Sequence, residues 1–293
     1  MGARAEGEEW PRAQRLDATR VAGLLAERAG VRLEIEGPCP GGQVGAAYVR
    51  WPDGRQGVLT WRPRISPGEF RAGAQAVADT LRAVGYQAPA TQLVAEVGDG
   101  IAVVQQRLPG RPAAVFTGAL VDQAVALSGL HAGALAEVGS VPPMMLYLRG
   151  DGPGYCLHGP LRGYDARTRR LLGWVHSVAG RWPDELTGDD AVHCDFQPTN
   201  FLVLDGEITG VVDWGAARGD RRLDLVTLRF GVHGELAEPG VAAVLDAILD
   251  EVPADALAPL WAHMSLRMVD WAIRHFDAAA VAHWLDLAEQ RAG

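Results

Sequence analysis

The chain has 293 residues, 48% hydrophobic and 22% charged, which suits one large domain or two smaller ones sharing a cleft. Its formal net charge is -9, its pI is about 5.4, and it contains no lysine, so arginine supplies all the fixed side-chain positive charge. Such a chain lacks the phosphate-neutralising cations of a sequence-independent nucleic-acid binder and is better suited to attract a cationic small molecule, although acidity also serves solubility. Cys39, Cys156 and Cys194 lie far apart with no CxxC pair, which argues against a zinc site and against a disulfide framework. The N-terminal "MGARAEGEEWPRAQR" lacks an apolar signal core, and Glu6 stands where a myristoylation signal needs Ser or Thr. No apolar run is long enough to span a bilayer. The expectation is a soluble, cytoplasmic protein with neither nucleic-acid nor membrane partners.

In chain order, "DATRVAGLLAERAG" (Asp17 to Gly30) has helical apolar spacing, and Gly30 suits its C-terminal cap. "VRLEIEG" alternates like a strand. "PCPGGQVGAAYVRW" is a glycine-rich loop feeding a second strand, Pro52 to Gly54 make a tight turn, and "RQGVLTWR" is the third strand. Ser66, Pro67 and Glu69 start a helix as N-cap, first-turn proline and capping-box glutamate, and the helix should run to about Val84 and stop at Gly85. "TQLVAEV" and "IAVVQQRL" form a hairpin ending at Leu108 to Pro112. Helical segments then dominate: 116–131, 165–182 and several after Leu223, with clear strands only around Phe201 and Val211. The predicted class is α+β, with a β-rich portion at 1–107 and a mostly helical portion at 108–293.

The stretch "HCDFQPTNFLVLDGEITGVVDW" (His193 to Trp214) holds the only asparagine, Asn200. Asp205-Gly206 is a strong two-residue hairpin turn between Phe201–Leu204 and Ile208–Val212. Counting outward, Leu204 faces Glu207, Asn200 faces Val211 and Pro198 faces Asp213, so Asn200 and Asp213 are two steps apart, about 7–8 Å along a cross-strand diagonal. Their side chains can reach one small cation, and hard amide and carboxylate oxygens suit Mg²⁺, which takes its remaining ligands from water and phosphate. Asp195, on the loop before Asn200, is placed to accept a hydroxyl proton.

"HCDFQPTN" has the H-x-D-x-x-x-x-N form of the protein-kinase catalytic loop, and "VVDWG" resembles the metal-binding D-F-G position. With "GDRRLDL" (Gly219 to Leu225), "LSGLHAGAL" (Leu127 to Leu135) and the hinge-like "VVQQRLPG" (Val103 to Gly110), the chain resembles the aminoglycoside phosphotransferase family. The resemblance implies a two-lobe protein-kinase-like fold, an antiparallel sheet lobe beside a helical lobe. It also implies ATP or GTP as co-substrate and phosphoryl transfer to a small-molecule hydroxyl. Residue by residue, it implies Asp195 as catalytic base, Asn200 and Asp213 as magnesium ligands, and an adenine-reading hinge around Val104, Gln105, Gln106 and Arg107. His193 matches the loop's structural histidine and reads as a satisfied core residue. Asp220 and Asp224 match downstream loop-bracing aspartates, Asp220 serving equally well as a helix N-cap.

The family's strand lysine and its helix glutamate are missing: Thr60 stands at the lysine position and Gln75 at the glutamate. Arg62, two residues on and on the same strand face, or another arginine, is the candidate phosphate cation. The glycine-rich loop suits backbone contacts to phosphate or an ordinary hairpin. For the acceptor, Asp270, Trp271, Asp277, Glu235 and Glu238 are candidates, against the plainer reading of core tryptophans and a solvated acidic face. The expected acceptor is a cationic hydroxylated antibiotic, aminoglycoside-like or peptide, with resistance as the role. A kinase of choline or an amino acid, and a catalytically silent kinase-shaped binding protein, are the alternatives.

Overall fold

The computed structural model describes residues 14–40 and 44–292. Five antiparallel strands, β1 (Glu34–Pro38), β2 (Ala47–Arg50), β3 (Gln56–Pro63), β4 (Thr91–Val97) and β5 (Gly100–Gln106), form one sheet in the order β1-β2-β3-β5-β4. β5 lies inside the sheet and is buried on both faces. Ala102 and Val104 pack with Val49, Leu59, Val21 and Leu25, the last two from the helix Ala18–Ala29, while Ile101 and Val103 pack with Phe70 and Ala74. That helix closes on Gly30, at φ 65. The middle of the glycine-rich loop lies outside the described residues.

The second helix begins with the expected reciprocal box: Glu69 N donates to Ser66 Oγ (3.2 Å), and Ser66 N donates to Glu69 Oε2 (2.8 Å). It runs from Pro67 through a π-helical turn, Arg71–Gln75, into Ala76–Ala83, and stops before Gly85 at φ 89. The π turn sits where the helix meets the rest of the molecule. A Cβ at Gly73 would lie 2.5 Å from Ala216 Cβ, so only glycine permits this approach. Ser140 Oγ also donates to Ala72 O at 2.8 Å.

The remaining residues are mostly helical. Gly118–Gly129 is capped by Thr117 and Ala166–Ala179 by Asp165. The 22-residue helix Ala254–His275 packs against Ala278–Ala292, Ala166–Ala179 and Arg222–Gly231 around a core that includes Leu260, Met264, Val269 and Trp284. Several pieces were not expected: the helix His158–Tyr164, and the short strand pairs Asp190–Val192 with Ala217–Gly219 and Met144–Met145 with Glu185–Leu186. Strands of two or three residues are too short for alternation to reveal. No helix among the described residues is long and apolar enough to cross a membrane. The architecture is α+β, a sheet lobe followed by a helical one.

Candidate active site

Asp205 and Gly206 both adopt left-handed backbone, φ 52 and 84, as a two-residue primed turn requires. Leu204 faces Glu207 and Val203 faces Ile208, as expected. One step further the register shifts: Leu202 faces Gly210 and Phe201 faces Val211, which leaves Thr209 as the extra residue of a β-bulge. The Thr209 hydroxyl anchors the bulge against Pro109 O at 2.7 Å. The expected pairing of Asn200 with Val211 is therefore corrected. Val212 N donates to Asn200 O at 3.0 Å, so Asn200 lies opposite Val212 and one step, not two, from Asp213.

Asp195 is held by three donors. Arg267 Nη2 donates to Oδ1 at 2.8 Å, and Gln197 Nε2 (2.9 Å) and Asn200 Nδ2 (2.8 Å) both donate to Oδ2. Asn200 Nδ2 also donates to the Asp195 backbone oxygen at 2.8 Å, which fixes the amide and turns Asn200 Oδ1 away from Asp195. Cys194 and Asp213, the residues beside this carboxylate and at the end of the hairpin, both have positive φ (69 and 63), a conformation that non-glycine residues hold only where the surroundings enforce it.

That enforcement comes from beneath. Asp224 is fully buried and accepts His193 N (3.0 Å), Cys194 N (3.3 Å) and His131 Nδ1–H (3.1 Å). Asp195 N donates to His193 Nδ1 at 3.2 Å, so His193 Nε2–H donates to Val212 O at 2.9 Å. Burial pulls His193 below the usual histidine range, against the pull of nearby carboxylates, and keeps it neutral in this role. The ring thus ties the loop of Asp195 to the strand that ends at Asp213. Phe196 packs edge-on to it at 5.8 Å and Trp214 lies tilted against it at 4.5 Å, and His131 packs edge-on to both of these rings. Burial pushes the Cys194 thiol up to about 12, so it is no thiolate nucleophile.

On the sheet side, Arg62 Nη2 reaches Asp213 Oδ1 at 3.0 Å, its guanidinium 5.5 Å from the Phe70 ring centre. Among the described residues, Thr60 Oγ1 and Gln75 Oε1 are buried and find no hydrogen-bond partner. Gln105 and Gln106 lie at the end of β5, opposite Val58 and Gly57, and Gln106 N donates to Ala90 O at 2.8 Å. The Arg107 side chain turns back toward β1 and β2, 4.1 Å over the Tyr48 ring and 3.3 Å from Glu36 Oε2.

The acceptor candidates divide. Asp270 is fully buried, held by Arg274 Nε at 2.7 Å and Leu157 N at 3.0 Å, so the expectation that it meets substrate amines is corrected: its oxygens are taken by protein donors. Trp271 lies tilted against His275 on the same helix, their ring centres 4.0 Å apart. Asp277 accepts Ala280 N (3.0 Å) at the start of the last helix, and Glu238 accepts Gly118 N (3.3 Å). Glu235 is exposed in the 3-10 turn Gly234–Leu236. Asp220 accepts Arg222 N at 2.9 Å and pairs with its guanidinium, a cap-like contact at the next helix.

Arg267, Gln197 and Tyr155 were not anticipated. For Arg267 the available signal is an arginine following the buried run Leu260–Leu266 of the long helix. Desolvation pulls the part-buried guanidinium down, yet the Asp195 charge and other nearby groups hold it above its ordinary value overall.

Asn200 Oδ1 and the half-exposed Asp213 carboxylate (56%) could hold a hard divalent cation. Among the described residues no group of three or more His, Cys, Asp or Glu side chains could hold a metal alone. Two protein oxygens beside open space fit Mg²⁺, which completes its shell with water and phosphate oxygens.

A family model described as the APH phosphotransferase enzyme family matches residues 38–260. No curated protein matches the chain significantly. Among solved structures, the GDP and kanamycin complex of APH(2")-IIia aligns over 92% of this chain and 97% of its own, with a TM-score of 0.59 at 15% identity. A protein assigned as a fructosamine-3-kinase from Thermobifida fusca aligns over 92% of this chain and 98% of its own (TM-score 0.54, 21% identity). A choline/ethanolamine kinase family protein from Mesorhizobium loti aligns over 94% of this chain and 92% of its own (TM-score 0.53, 17% identity). At these identities the likeness establishes the two-lobe, kinase-like fold, and the family match establishes the rest: the chain belongs to the APH phosphotransferase enzyme family and is a small-molecule phosphotransferase.

Proposed function

We propose that the protein transfers the terminal phosphoryl group of ATP or GTP to a hydroxyl of a small molecule, in a cleft between a nucleotide-binding portion, 1–107, and a catalytic portion, 108–293. The observation that carries this reading is the hydrogen bond of 2.8 Å from Asn200 Nδ2 to Asp195 Oδ2, with Asp213 one residue beyond Asn200's cross-strand neighbour. Asn200 and Asp213 would hold Mg²⁺, which supplies charge neutralisation to the nucleotide phosphates. Asp195 orients the acceptor hydroxyl for in-line attack and takes its proton, a contribution typically worth 10²–10⁴-fold. Arg62 is the phosphate cation in place of the missing lysine: it leaves Asp213 when nucleotide and metal arrive and turns to the phosphates. Gln105, Gln106 and Arg107 carry the backbone that reads the base, Thr60 faces the nucleotide beside Arg62, and Asp224, His193 and Asp220 support the loop.

For the acceptor we propose a cationic hydroxylated antibiotic, aminoglycoside-like or peptide. The net charge of -9 supports it, and Asp277, Glu235 and Glu238 are the exposed acidic candidates. The test is incubation with Mg²⁺, ATP or GTP and a library of hydroxylated amines that includes aminoglycosides, peptide antibiotics, choline and amino acids. Mass spectrometry should find one phosphoryl group added to an antibiotic; addition to choline or an amino acid instead would move the role to metabolism. One observation favours a second reading, a silent ligand-binding protein: Arg62 already neutralises Asp213 where a kinase needs a metal ligand. Tight ligand binding with no phosphorylated product would establish that reading.

A further inference from the structure

We infer that Arg267 is a positioning residue for Asp195, and that it leaves one oxygen of that carboxylate, Oδ1, to receive the acceptor hydroxyl. This rests on the reading of Asp195 as the proton acceptor. A carboxylate has about four acceptor positions, two on each oxygen. Oδ2 is filled by Gln197 (2.9 Å) and Asn200 (2.8 Å), whereas Oδ1 accepts only Arg267 Nη2 (2.8 Å) among the described residues. The open position is therefore on the oxygen that Arg267 holds. The other terminal nitrogen, Nη1, donates to the backbone oxygen of Cys194. One rigid planar fork thus fixes the backbone and the side chain of consecutive residues, at a point where the chain is in left-handed conformation.

The surroundings agree. The guanidinium carbon lies 5.3 Å from the centre of the Tyr155 ring, which packs edge-on to Tyr147 at 5.7 Å. The segment carrying Tyr155 is fastened to the same long helix by Leu157 N to Asp270 Oδ2 (3.0 Å) and Arg274 Nη2 to Gly154 O (3.0 Å). Asp270 and Arg274, whose ion pair the mechanism does not use, thereby hold a phenol against Arg267. The guanidinium that holds Asp195 is thus itself backed by a phenol. In the transfer, the acceptor oxygen bonds to the γ-phosphorus, the bond from that phosphorus to the β–γ bridging oxygen breaks, the nucleoside diphosphate leaves, and the hydroxyl proton passes to Asp195 Oδ1.

The test uses the full chain with water as the probe acceptor, measuring phosphate release from Mg·ATP and Mg·GTP by the wild type, Asp195→Asn, Arg267→Met, Arg267→Lys and the Asp195→Asn/Arg267→Met double variant. Arg267→Met should lower kcat roughly 10- to 100-fold, within the range of general-base effects, while the KM for nucleotide stays within about twofold. Arg267→Lys should recover part of the loss. The double variant should be no slower than Asp195→Asn alone, because both changes act through one group. A crystal structure of Arg267→Met should show the Asp195 carboxylate rotated away with the His193–Asp224 contact intact, and it reads the positioning even where the rate with water is too low to measure. An Asp195 carboxylate unmoved in that structure, or losses that multiply in the double variant, would overturn the positioning role. Full activity in Asp195→Asn would instead remove the base reading itself, and this inference with it.

Discussion

The two sides of the candidate site meet the same demand, polar groups in a partly dry space, in opposite ways. On the loop side the groups that hold Asp195 in place find protein partners. Asp224 takes three N–H donors, His193 bridges two segments, and Asn200 is fixed by a double donation. On the sheet side, among the described residues, Thr60 Oγ1 and Gln75 Oε1 are buried with none, and Arg62 pairs across to Asp213. Buried polar groups without partners carry a desolvation penalty of about 1–3 kcal/mol each. On the proposed assignment, the contrast implies that Asp195, Asn200 and Asp213 are organised before ligand arrives, whereas Thr60, Gln75 and Arg62 complete their polar contacts when nucleotide binds.

That contrast can be broken at either side. The largest effect should come from Asp195→Ala, which should lower kcat by about 10²–10⁴ and leave nucleotide affinity nearly unchanged, read by steady-state kinetics and calorimetry. A parallel loss of nucleotide affinity would mean that the two sides are not separately organised. Next, Asp224→Ala should destabilise the fold by about 3 kcal/mol in urea denaturation, because it strands the buried His193 and Cys194 N–H groups. A change below about 0.5 kcal/mol would show that the bracing is dispensable. On the other side, Arg62→Ala should raise the KM for nucleotide by about tenfold or more without lowering stability, since its pair with Asp213 is half-exposed. Unchanged nucleotide affinity and turnover would take the phosphate role away from Arg62.

The smallest effect concerns pH. His263 Nδ1–H donates to Leu146 O at 2.8 Å, while its Nε2 is buried with no partner among the described residues. Burial pushes its pKa down to about 4, below the ordinary 6.5. Between those values the unfolded chain takes up a proton that the folded chain refuses, so stability falls as pH drops from about 6.5 toward 4. Removing this group with His263→Leu should flatten the dependence of unfolding free energy on pH in that window. An equal slope in the variant would assign the acid sensitivity elsewhere, for example to His233, which burial and His283 also bring to about 4.

What the chain reveals in advance follows the same division. The catalytic loop, the Asp205-Gly206 turn and the Ser66–Glu69 capping box are local devices, each readable from residue types a few positions apart. The bulge at Thr209 is not: it is pinned by Pro109, a residue with |i−j| of 100, and it brings Asn200 closer to Asp213 than simple counting allows. Arg267 meets Asp195 across a separation of 72 residues, and helical spacing gives no sign of which arginine turns inward. Asp270 illustrates the reverse failure. In the sequence Asp270 reads as meeting substrate or as part of a solvated acidic face, and only tertiary packing shows that it is buried, pairs with Arg274 and fastens the segment of Tyr155.

The central claim is that Asn200 and Asp213 grip one divalent ion beside Asp195, and the direct measurement is a crystal structure with ADP and Mn²⁺, read by anomalous scattering. The account predicts a single strong peak bonded to Asn200 Oδ1 and an Asp213 carboxylate oxygen at about 2.0–2.2 Å, with Arg62 moved from Asp213 to the phosphates. Nucleotide bound with Arg62 still on Asp213, and the ion held by other residues or by phosphate alone, would contradict it.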